Sequence, residues 1–185
     1  YDHVAVGKRQ VGSTFKPFLY AIAMQEGYSP CYQIPNVPVV FEKELWGLEK
    51  DWVPSNSDDK YEGLMISMKF GLANSINTVT AYIMKQFGPH AVVDLAKKMG
   101  ITSRLSAVPS VCLGTFDLSV YEMVGAYSAF ANKGIWTEPI IITRIEDKNG
   151  VVIEEFTPKT TEAMSAQTAD IMVRMLQGVV DGVEN

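Results

Sequence analysis

The sequence is poor in the residues that build metal centres. It has two cysteines, Cys31 and Cys112, and two histidines, His3 and His90, among 185 residues. None of these spacings matches a zinc-ligand pattern, so we predict no metal site and no cofactor. The sequence does not decide whether the cysteines pair; the default expectation is two buried free thiols. Neither histidine lies in a recognisable Ser-His-Asp setting, and we expect both at the surface.

Positive charge and long apolar runs are also lacking. The net charge is −5 and the pI is about 5.1, which argues against a surface that binds nucleic acid. No apolar run reaches the roughly 18 residues that a membrane-spanning helix needs, so any membrane anchor would lie outside this sequence. Hydrophobic residues make up 47% and charged residues 20% of the chain, which is typical of a folded domain with its own core.

Periodicity and turn signals predict an α+β fold that is predominantly α. Apolar residues at helical spacing, with flanking glycines and prolines, predict helices over 15–26, 64–72, 78–87, 90–99, 119–132 and 166–180. Ser119 opens a capping-box signature with Glu122, and Ser165 is placed to cap the last helix. β-Branched residues on both sides of a turn at 147–150 predict one β-hairpin over 139–156.

A long irregular segment, 28–63, follows the first helix and contains four prolines. Loops of this length inside a domain are usually functional or held in place by packing. We expect Trp46 and Trp52 to pack against the core, because burying a ring is the commoner use of an indole.

The first motif with catalytic potential is Gly12-Ser13-Thr14-Phe15-Lys16. At a helix start, residues three apart lie on one face, so the Lys16 amine can reach the Ser13 hydroxyl and act as its base when neutral. The alternative is a capping serine beside a solvated lysine, which is the commoner reading of the bare tetrad. Pro17 favours a functional interpretation, because it disfavours the helical conformation at Lys16 and so breaks a local rule beside a candidate nucleophile.

The second motif is Ser75-Ile76-Asn77, between two predicted helices. A loop there can direct both polar side chains into a cleft. The Ser75 hydroxyl can relay a proton, and the Asn77 amide can both donate to and accept from a peptide-like substrate. Ser75 or Asn77 could instead cap the following helix, a role that is compatible with the catalytic one.

Together, S-x-x-K and S-x-N resemble the motifs of the penicillin-recognising serine enzymes, which are the penicillin-binding proteins and the serine β-lactamases. The stretch 9–18 is similar to the bifunctional class A penicillin-binding proteins in particular. The likeness spans nearly the whole chain, and its further stretches are Trp52-Val53-Pro54 with Asn56 and Gly63, 72–79, 113–115, 122–123, 126–128, 130–132 and Gly134.

The resemblance implies a D,D-transpeptidase that cross-links peptidoglycan. Ser13 would attack the D-Ala-D-Ala carbonyl of a stem peptide and hold the acyl group, with its own amide forming half of the oxyanion hole. Lys16 would be the general base, Ser75 a proton relay and Asn77 a substrate ligand, and β-lactams would acylate the same serine. The implied location is the outer face of the bacterial cytoplasmic membrane. An anchor and an N-terminal glycan-polymerising domain would belong to the parent protein.

One part of the family pattern is missing, the Lys-Thr-Gly or Lys-Ser-Gly strand. Lys159-Thr160-Thr161 lacks the glycine and is expected to precede a helix instead of lying in a strand. We therefore expect residues 1–185 to be a single partial domain with an incomplete β-lactamase/transpeptidase-like fold, truncated at both ends. The first sheet strands would precede it, the third-motif strand would follow it, and the piece alone would be inactive.

Two alternatives remain open. A class A β-lactamase shares both motifs but also needs a deacylating glutamate in a loop that ends in Leu-Asn, and the sequence has no such segment. A non-catalytic helical interaction module would use Ser13 only as a cap and present the aromatic loop around Trp46 and Trp52 to a partner. Replacing Ser13 with alanine would then change stability but not reactivity toward a β-lactam.

Overall fold

The structure is a computed structural model that describes residues 1–185. The six α-helices are α1 (Lys16–Gln25), α2 (Lys43–Trp46), α3 (Met68–Ala73), α4 (Asn77–Lys98), α5 (Val120–Ala131) and α6 (Ala166–Asp181). Eight strands form four antiparallel ribbons: β1 (Lys8–Gln10) with β4 (Asp117–Ser119), β2 (Gln33–Pro35) with β3 (Met65–Ser67), β5 (Ile135–Thr137) with β8 (Thr160–Glu162), and β6 (Arg144–Glu146) with β7 (Val152–Glu155). Two 3₁₀ helices cover Gly12–Phe15 and Pro109–Leu113. None of the helices is both long and apolar enough to cross a bilayer.

Helix α1 is the centre of the core. Every residue from Lys16 to Met24 is buried, because α1 packs against α4, α6 and α3. A helix that is surrounded in this way has no polar face, and its sequence is accordingly apolar on all sides after the first turn. Lys16 enters this environment as one of only two charged side chains among the buried residues, the other being Glu122.

Pro17 does not disturb the start of α1. Lys16 adopts ordinary right-handed helical angles, φ −53° and ψ −40°, which agrees with the helix predicted over 15–26 in spite of the local preference imposed by Pro17. Pro17 lies in the first turn of α1, where a proline is tolerated because its missing N–H has no partner in the helix. The 3₁₀ helix that contains Ser13 therefore runs directly into α1.

The predicted helices are present, and one of them differs clearly in extent. The helix predicted over 64–72 begins only at Met68, because Met65–Ser67 pair with β2 as a strand. The periodicity of such a short apolar run does not distinguish a strand from a helix. The helices predicted over 78–87 and 90–99 are both present within α4. The break predicted between them is confirmed at Gly88, whose φ of 76° and ψ of 163° are not helical. The caps at Ser119 and Ser165 are confirmed.

The predominantly α character and the hairpin, now β6 and β7, are confirmed, but three further ribbons were not expected. Their strands are only three residues long and carry too little alternation to be recognised. The expectation that Lys159-Thr160-Thr161 lies outside a strand is also wrong. Thr160 and Thr161 lie in β8, exposed and paired with β5.

The remaining expectations concern single residues. Both cysteines are free, but only Cys112 is buried; the expectation that Cys31 is also buried is wrong. Trp46 and Trp52 each pack against the buried ring of Phe41 with ring centroids 5.1 Å apart, so the expected packing of the 28–63 segment is confirmed. His3 and His90 are exposed, as predicted.

Candidate active site

Ser13 lies in a turn that is held from behind. Gly12 has φ 55°, a left-handed conformation that favours glycine, and its N–H donates to the Gly114 carbonyl at 3.0 Å. Gly114 approaches so closely that a Cβ there would collide with the backbone of Gly12. The neighbouring Val11 N–H donates to the Phe116 carbonyl at 3.1 Å. The loop around Gly114 therefore fixes the backbone that presents Ser13.

Tyr127 holds the same turn from the other side. Its hydroxyl donates to the Thr14 carbonyl at 2.6 Å. Burial raises the pKa of Tyr127 to about 12, so this hydroxyl remains a donor at neutral pH. The sequence contained Tyr127 only as part of the family likeness, and no local pattern signals its contact with a residue 113 positions earlier.

The Ser13 side chain is exposed and opens into a cleft of about 250 Å³. The other lining residues come from the first turn of α1, the segment around Ser75, and helices α5 and α6: Thr14, Lys16, Pro17, Leu72, Ala73, Ser75, Tyr127, Leu176 and Val179. The Ser13 hydroxyl makes no hydrogen bond within the protein. The Ser13 side chain caps neither the 3₁₀ helix Gly12–Phe15 nor α1. The alternative in which Ser13 is only a capping serine is therefore wrong.

Lys16 is buried to 1% exposure, so a solvated lysine is also excluded. Its Nζ donates to the Ser75 carbonyl at 2.6 Å, to Ser75 Oγ at 2.9 Å and to Asn77 Oδ1 at 2.6 Å. The structure therefore brings the two sequence motifs into direct contact through Lys16. Ser13 shares the cleft with Lys16 but is not hydrogen-bonded to it.

Burial lowers the pKa of Lys16 to about 8. The nearby Cys112 thiol has a pKa raised to about 12, also by burial, so it is uncharged at neutral pH and does not hold the proton on Lys16. A lysine with a pKa near 8 is neutral in roughly a tenth of the molecules at pH 7, which is enough to act as a base.

Ser75 has a strained backbone. Its φ is 54°, a left-handed conformation that is uncommon for a residue other than glycine and costs on the order of 1–3 kcal/mol. This conformation, between α3 and α4, lets both the carbonyl and the hydroxyl of Ser75 reach Lys16. The surrounding contacts therefore maintain a conformation that serves the lysine.

Asn77 is oriented by two partners. Its Oδ1 accepts from Lys16, and its Nδ2 donates to the Ser55 carbonyl at 2.8 Å. The N-cap residue of α4 is Ile76 and makes no side-chain cap, so the alternative that Ser75 or Asn77 caps this helix is wrong. Asn56 supplies the missing acceptor: its Oδ1 accepts from the N–H groups of Asn77 at 2.9 Å and Thr78 at 3.1 Å.

The arrangement combines an exposed hydroxyl with a buried amine that is neutral in part at neutral pH. A second hydroxyl, that of Ser75, touches the amine, and an amide lies beside it. These are the groups that nucleophilic acyl transfer with a lysine base requires. No group of three or more His, Cys, Asp or Glu side chains is placed to hold a metal ion.

Comparison of the sequence with known proteins agrees with this chemistry. The family model described as penicillin binding protein transpeptidase domain matches residues 3–184. The chain is 33% identical over 180 residues to penicillin-binding protein 1A of Aquifex aeolicus (strain VF5), covering 97% of this chain and 24% of that protein. It is 33% identical over 181 residues to penicillin-binding protein 2D of Bacillus subtilis (strain 168), covering 98% and 26%. The chain thus spans about a quarter of the length of these relatives.

The fold is shared with solved structures. Penicillin-binding protein 1A from Haemophilus influenzae matches with a TM-score of 0.88 at 23% identity, covering all of this chain and 32% of that one. Penicillin-binding protein A from M. tuberculosis, solved as an imipenem acyl-enzyme complex, matches with a TM-score of 0.76 at 17% identity, covering 98% and 46%. These two likenesses establish the fold, and the match of the family model over residues 3–184 establishes the family. The chain belongs to the transpeptidase domain family of the penicillin-binding proteins.

Proposed function

We propose that the protein is a serine D,D-transpeptidase of peptidoglycan synthesis and that Ser13 is its acylated nucleophile. The observation that carries the proposal is the buried Lys16 amine, which touches Ser75 and Asn77 beside the exposed Ser13 hydroxyl. The names of the relatives support the substrate class, because they are penicillin-binding proteins.

In the first half-reaction, neutral Lys16 accepts the Ser13 proton while Ser13 Oγ bonds to the penultimate D-Ala carbonyl carbon of a stem peptide. The backbone amide of Ser13 is one of two donors to the oxyanion, and each such donor is typically worth about 10²–10³ in rate. The proton then passes through the Ser75 hydroxyl to the amine of the departing D-Ala, and the peptide bond breaks. Asn77 hydrogen-bonds the substrate backbone.

In the second half-reaction, an amine of a neighbouring stem peptide attacks the ester carbonyl. Lys16 takes the amine proton, the new amide bond forms, and Ser13 recovers its proton. A β-lactam follows only the first half-reaction, because opening its ring leaves the leaving group attached to the acyl-enzyme. In this proposal the site works on the outer face of the bacterial cytoplasmic membrane, because its substrate, peptidoglycan, lies outside that membrane.

We propose that the parent protein also carries the anchor, the glycan-polymerising domain and the sheet strand with the third motif. Thr160 and Thr161 do not line the cleft, so Lys159-Thr160-Thr161 does not supply that motif. Residues 1–185 by themselves would then form a partial domain with only part of the oxyanion hole, and they would react slowly or not at all.

The test is mass spectrometry after incubation with benzylpenicillin, with peptide mapping of the adduct. The full-length protein, its Ser13→Ala variant and residues 1–185 are compared. We expect a penicilloyl group on Ser13 in the full-length protein and none in the variant or in the isolated residues. An adduct that persists in Ser13→Ala overturns the nucleophile assignment, and a labelled 1–185 overturns the need for further segments.

A further inference from the structure

We propose that Asn56 is a positioning residue for the proposed active site, acting through Asn77 on the Lys16 amine. This inference rests on the proposed function. Asn56 lies in the irregular segment that follows β2, about twenty residues before the motif that it contacts. It makes no hydrogen bond to Lys16 or Ser13 and does not line the cleft into which Ser13 opens.

The Asn56 amide is hydrogen-bonded on both sides. Its Oδ1 accepts from the backbone N–H groups of Asn77 and Thr78, at 2.9 and 3.1 Å. Its Nδ2 donates to Asn36 Oδ1 at 3.0 Å and to Thr78 Oγ1 at 3.2 Å. Asn56 therefore performs for α4 the role that an N-cap side chain usually performs from within the helix.

Asn36 determines which way the Asn56 amide faces. Asn36 is 2% exposed and is fixed by its own backbone and side chain, which bond to Leu64, Gly63 and Tyr61. Its Oδ1 accepts from Thr78 Oγ1 as well as from Asn56. If the Asn56 amide were reversed, two oxygens would face each other at Asn36 and an NH₂ group would face two backbone donors at α4. Only the observed orientation satisfies all these groups.

The same segment fixes the orientation of the Asn77 amide. The Ser55 carbonyl accepts from Asn77 Nδ2, which leaves Asn77 Oδ1 directed at Lys16 Nζ. Asn56 anchors the Asn77 backbone, so the two adjacent residues 55 and 56 hold Asn77 at its main chain and at its side chain. Loss of the Asn56 amide would free the first turn of α4 and with it the acceptor that locates the lysine.

A cap from within the helix is not available at this position. Ile76 occupies the N-cap site of α4 and is 6% exposed, packed in the hydrophobic core. The cap therefore comes from a segment that also borders a second, polar cleft of about 130 Å³, on the side of Ser75 toward Asn56 and Asp58. The position of the Lys16 amine therefore depends on the irregular segment, through Asn77.

The experiment is a double-mutant cycle on the rate constant for acylation of Ser13 by a chromogenic cephalosporin, measured in the full-length protein. Asn56→Ala is expected to lower this rate constant on the order of 10- to 100-fold, because small displacements of catalytic groups have effects of this size. In an Asn77→Ala background, the same substitution is expected to change the rate constant by less than about twofold, because its effect passes through Asn77. Ser165→Ala is the matched control, since it removes a helix cap that lies outside this network.

An equal fold-loss from Asn56→Ala in both backgrounds would overturn the inference, as would a loss no larger than that of Ser165→Ala. If Asn56→Ala does not fold, the same cycle is run with Asn56→Ser, which is too short to reach both amides. Ser13→Ala separates this result from the proposed function. If Ser13→Ala is still acylated, the proposed function fails; if it is not and the cycle shows no coupling, only the role of Asn56 fails.

Discussion

Lys16 Nζ lies 2.6 Å from Asn77 Oδ1, although 61 residues separate the two along the chain. The contact joins the first residues of α1 and α4, two helices that pack against each other. With the carbonyl and hydroxyl of Ser75, it gives the ammonium three acceptors for its three hydrogens. A neutral amine has two hydrogens and one lone pair, which fits the same partners if the Ser75 hydroxyl donates to Lys16. The same three partners therefore satisfy both protonation states at rest, and the Ser75 hydroxyl has to turn away before the lone pair accepts the Ser13 proton.

This balance predicts the pH dependence of acylation. The folded protein lowers the pKa of Lys16 to about 8, so the neutral base is lost as the pH falls below that value. We expect the rate constant for acylation of Ser13 by a β-lactam to decline on the acid side of pH 8, by about tenfold per pH unit well below it. Stopped-flow measurements across this range provide the test.

We expect Lys16→Arg to abolish the acylation of Ser13 over the same pH range, because a guanidinium stays protonated and cannot act as a base. Lys85→Arg is the matched control, since Lys85 lies on the surface of α4 and contacts Val40 and Glu42. A Lys16→Arg protein that is acylated at the unmodified rate would show that Lys16 is not the base.

A second prediction concerns the turn behind Ser13. Gly114 has φ 66° and no room for a Cβ next to Gly12, so Gly114→Ala must displace the turn of Ser13 or the loop that holds it. We expect a loss of about 1–3 kcal/mol in the free energy of unfolding, together with slower acylation. Urea unfolding and acylation kinetics measure the two effects.

Gly150→Ala is the matched control for Gly114→Ala, because it introduces the same backbone strain without a steric collision of the new Cβ. Gly150 has φ 80° but open space around it, in the turn between β6 and β7. Its substitution should cost only the conformational part, about 1 kcal/mol, and leave acylation unchanged. Equal stability losses at the two glycines, with acylation intact in both, would contradict the role given to Gly114.

The parts of the structure that could be predicted from sequence are those encoded locally. Ser13 and Lys16, the proposed nucleophile and base, line one cleft, as their spacing within one helical turn predicts. The caps at Ser119 and Ser165 and the helices that they begin are likewise patterns of a few residues. The packing of Trp46 and Trp52 followed from the general tendency of rings to be buried.

What could not be predicted depends on contacts between distant residues. The strand Met65–Ser67 exists because β2 pairs with it, and its own sequence is equally compatible with a helix. Asn56 and Tyr127 act on the motifs from about 21 and 113 residues away, and polar residues of these types are common in loops and helices.

The two cysteines should differ in reactivity. Cys31 is exposed, whereas Cys112 is fully buried and its pKa is raised to about 12 by burial. Since the thiolate is the reactive form, iodoacetamide should alkylate Cys31 alone in the folded protein and both residues in denaturant. Peptide mapping identifies the sites. Alkylation of Cys112 under native conditions at a rate similar to that of Cys31 would show that the core behind Lys16 opens readily.

The last prediction concerns the buried carboxylate of Glu122. Burial raises its pKa, but hydrogen bonds from the main chain and side chain of Ser103, and from the main chain of Ser119 and Thr102, outweigh this effect and lower the pKa to about 2. A folded-state pKa below the unfolded value of 4.5 contributes stability above that value, and this stability is lost as the pH falls from 4.5 toward 2.

Glu122→Gln should therefore lower the free energy of unfolding at neutral pH by about 1–3 kcal/mol, because an NH₂ group would face donors where the carboxylate accepts. It should also flatten the dependence of that free energy on pH in the acid range. Glu154→Gln, in the exposed strand β7, removes a carboxylate of the same charge and should change neither quantity by more than about 0.5 kcal/mol. Urea unfolding of the three proteins at several acid pH values measures both effects. If the free energy of unfolding of Glu122→Gln falls with pH as steeply as that of the unmodified protein, the stability lost in acid must come from other carboxylates.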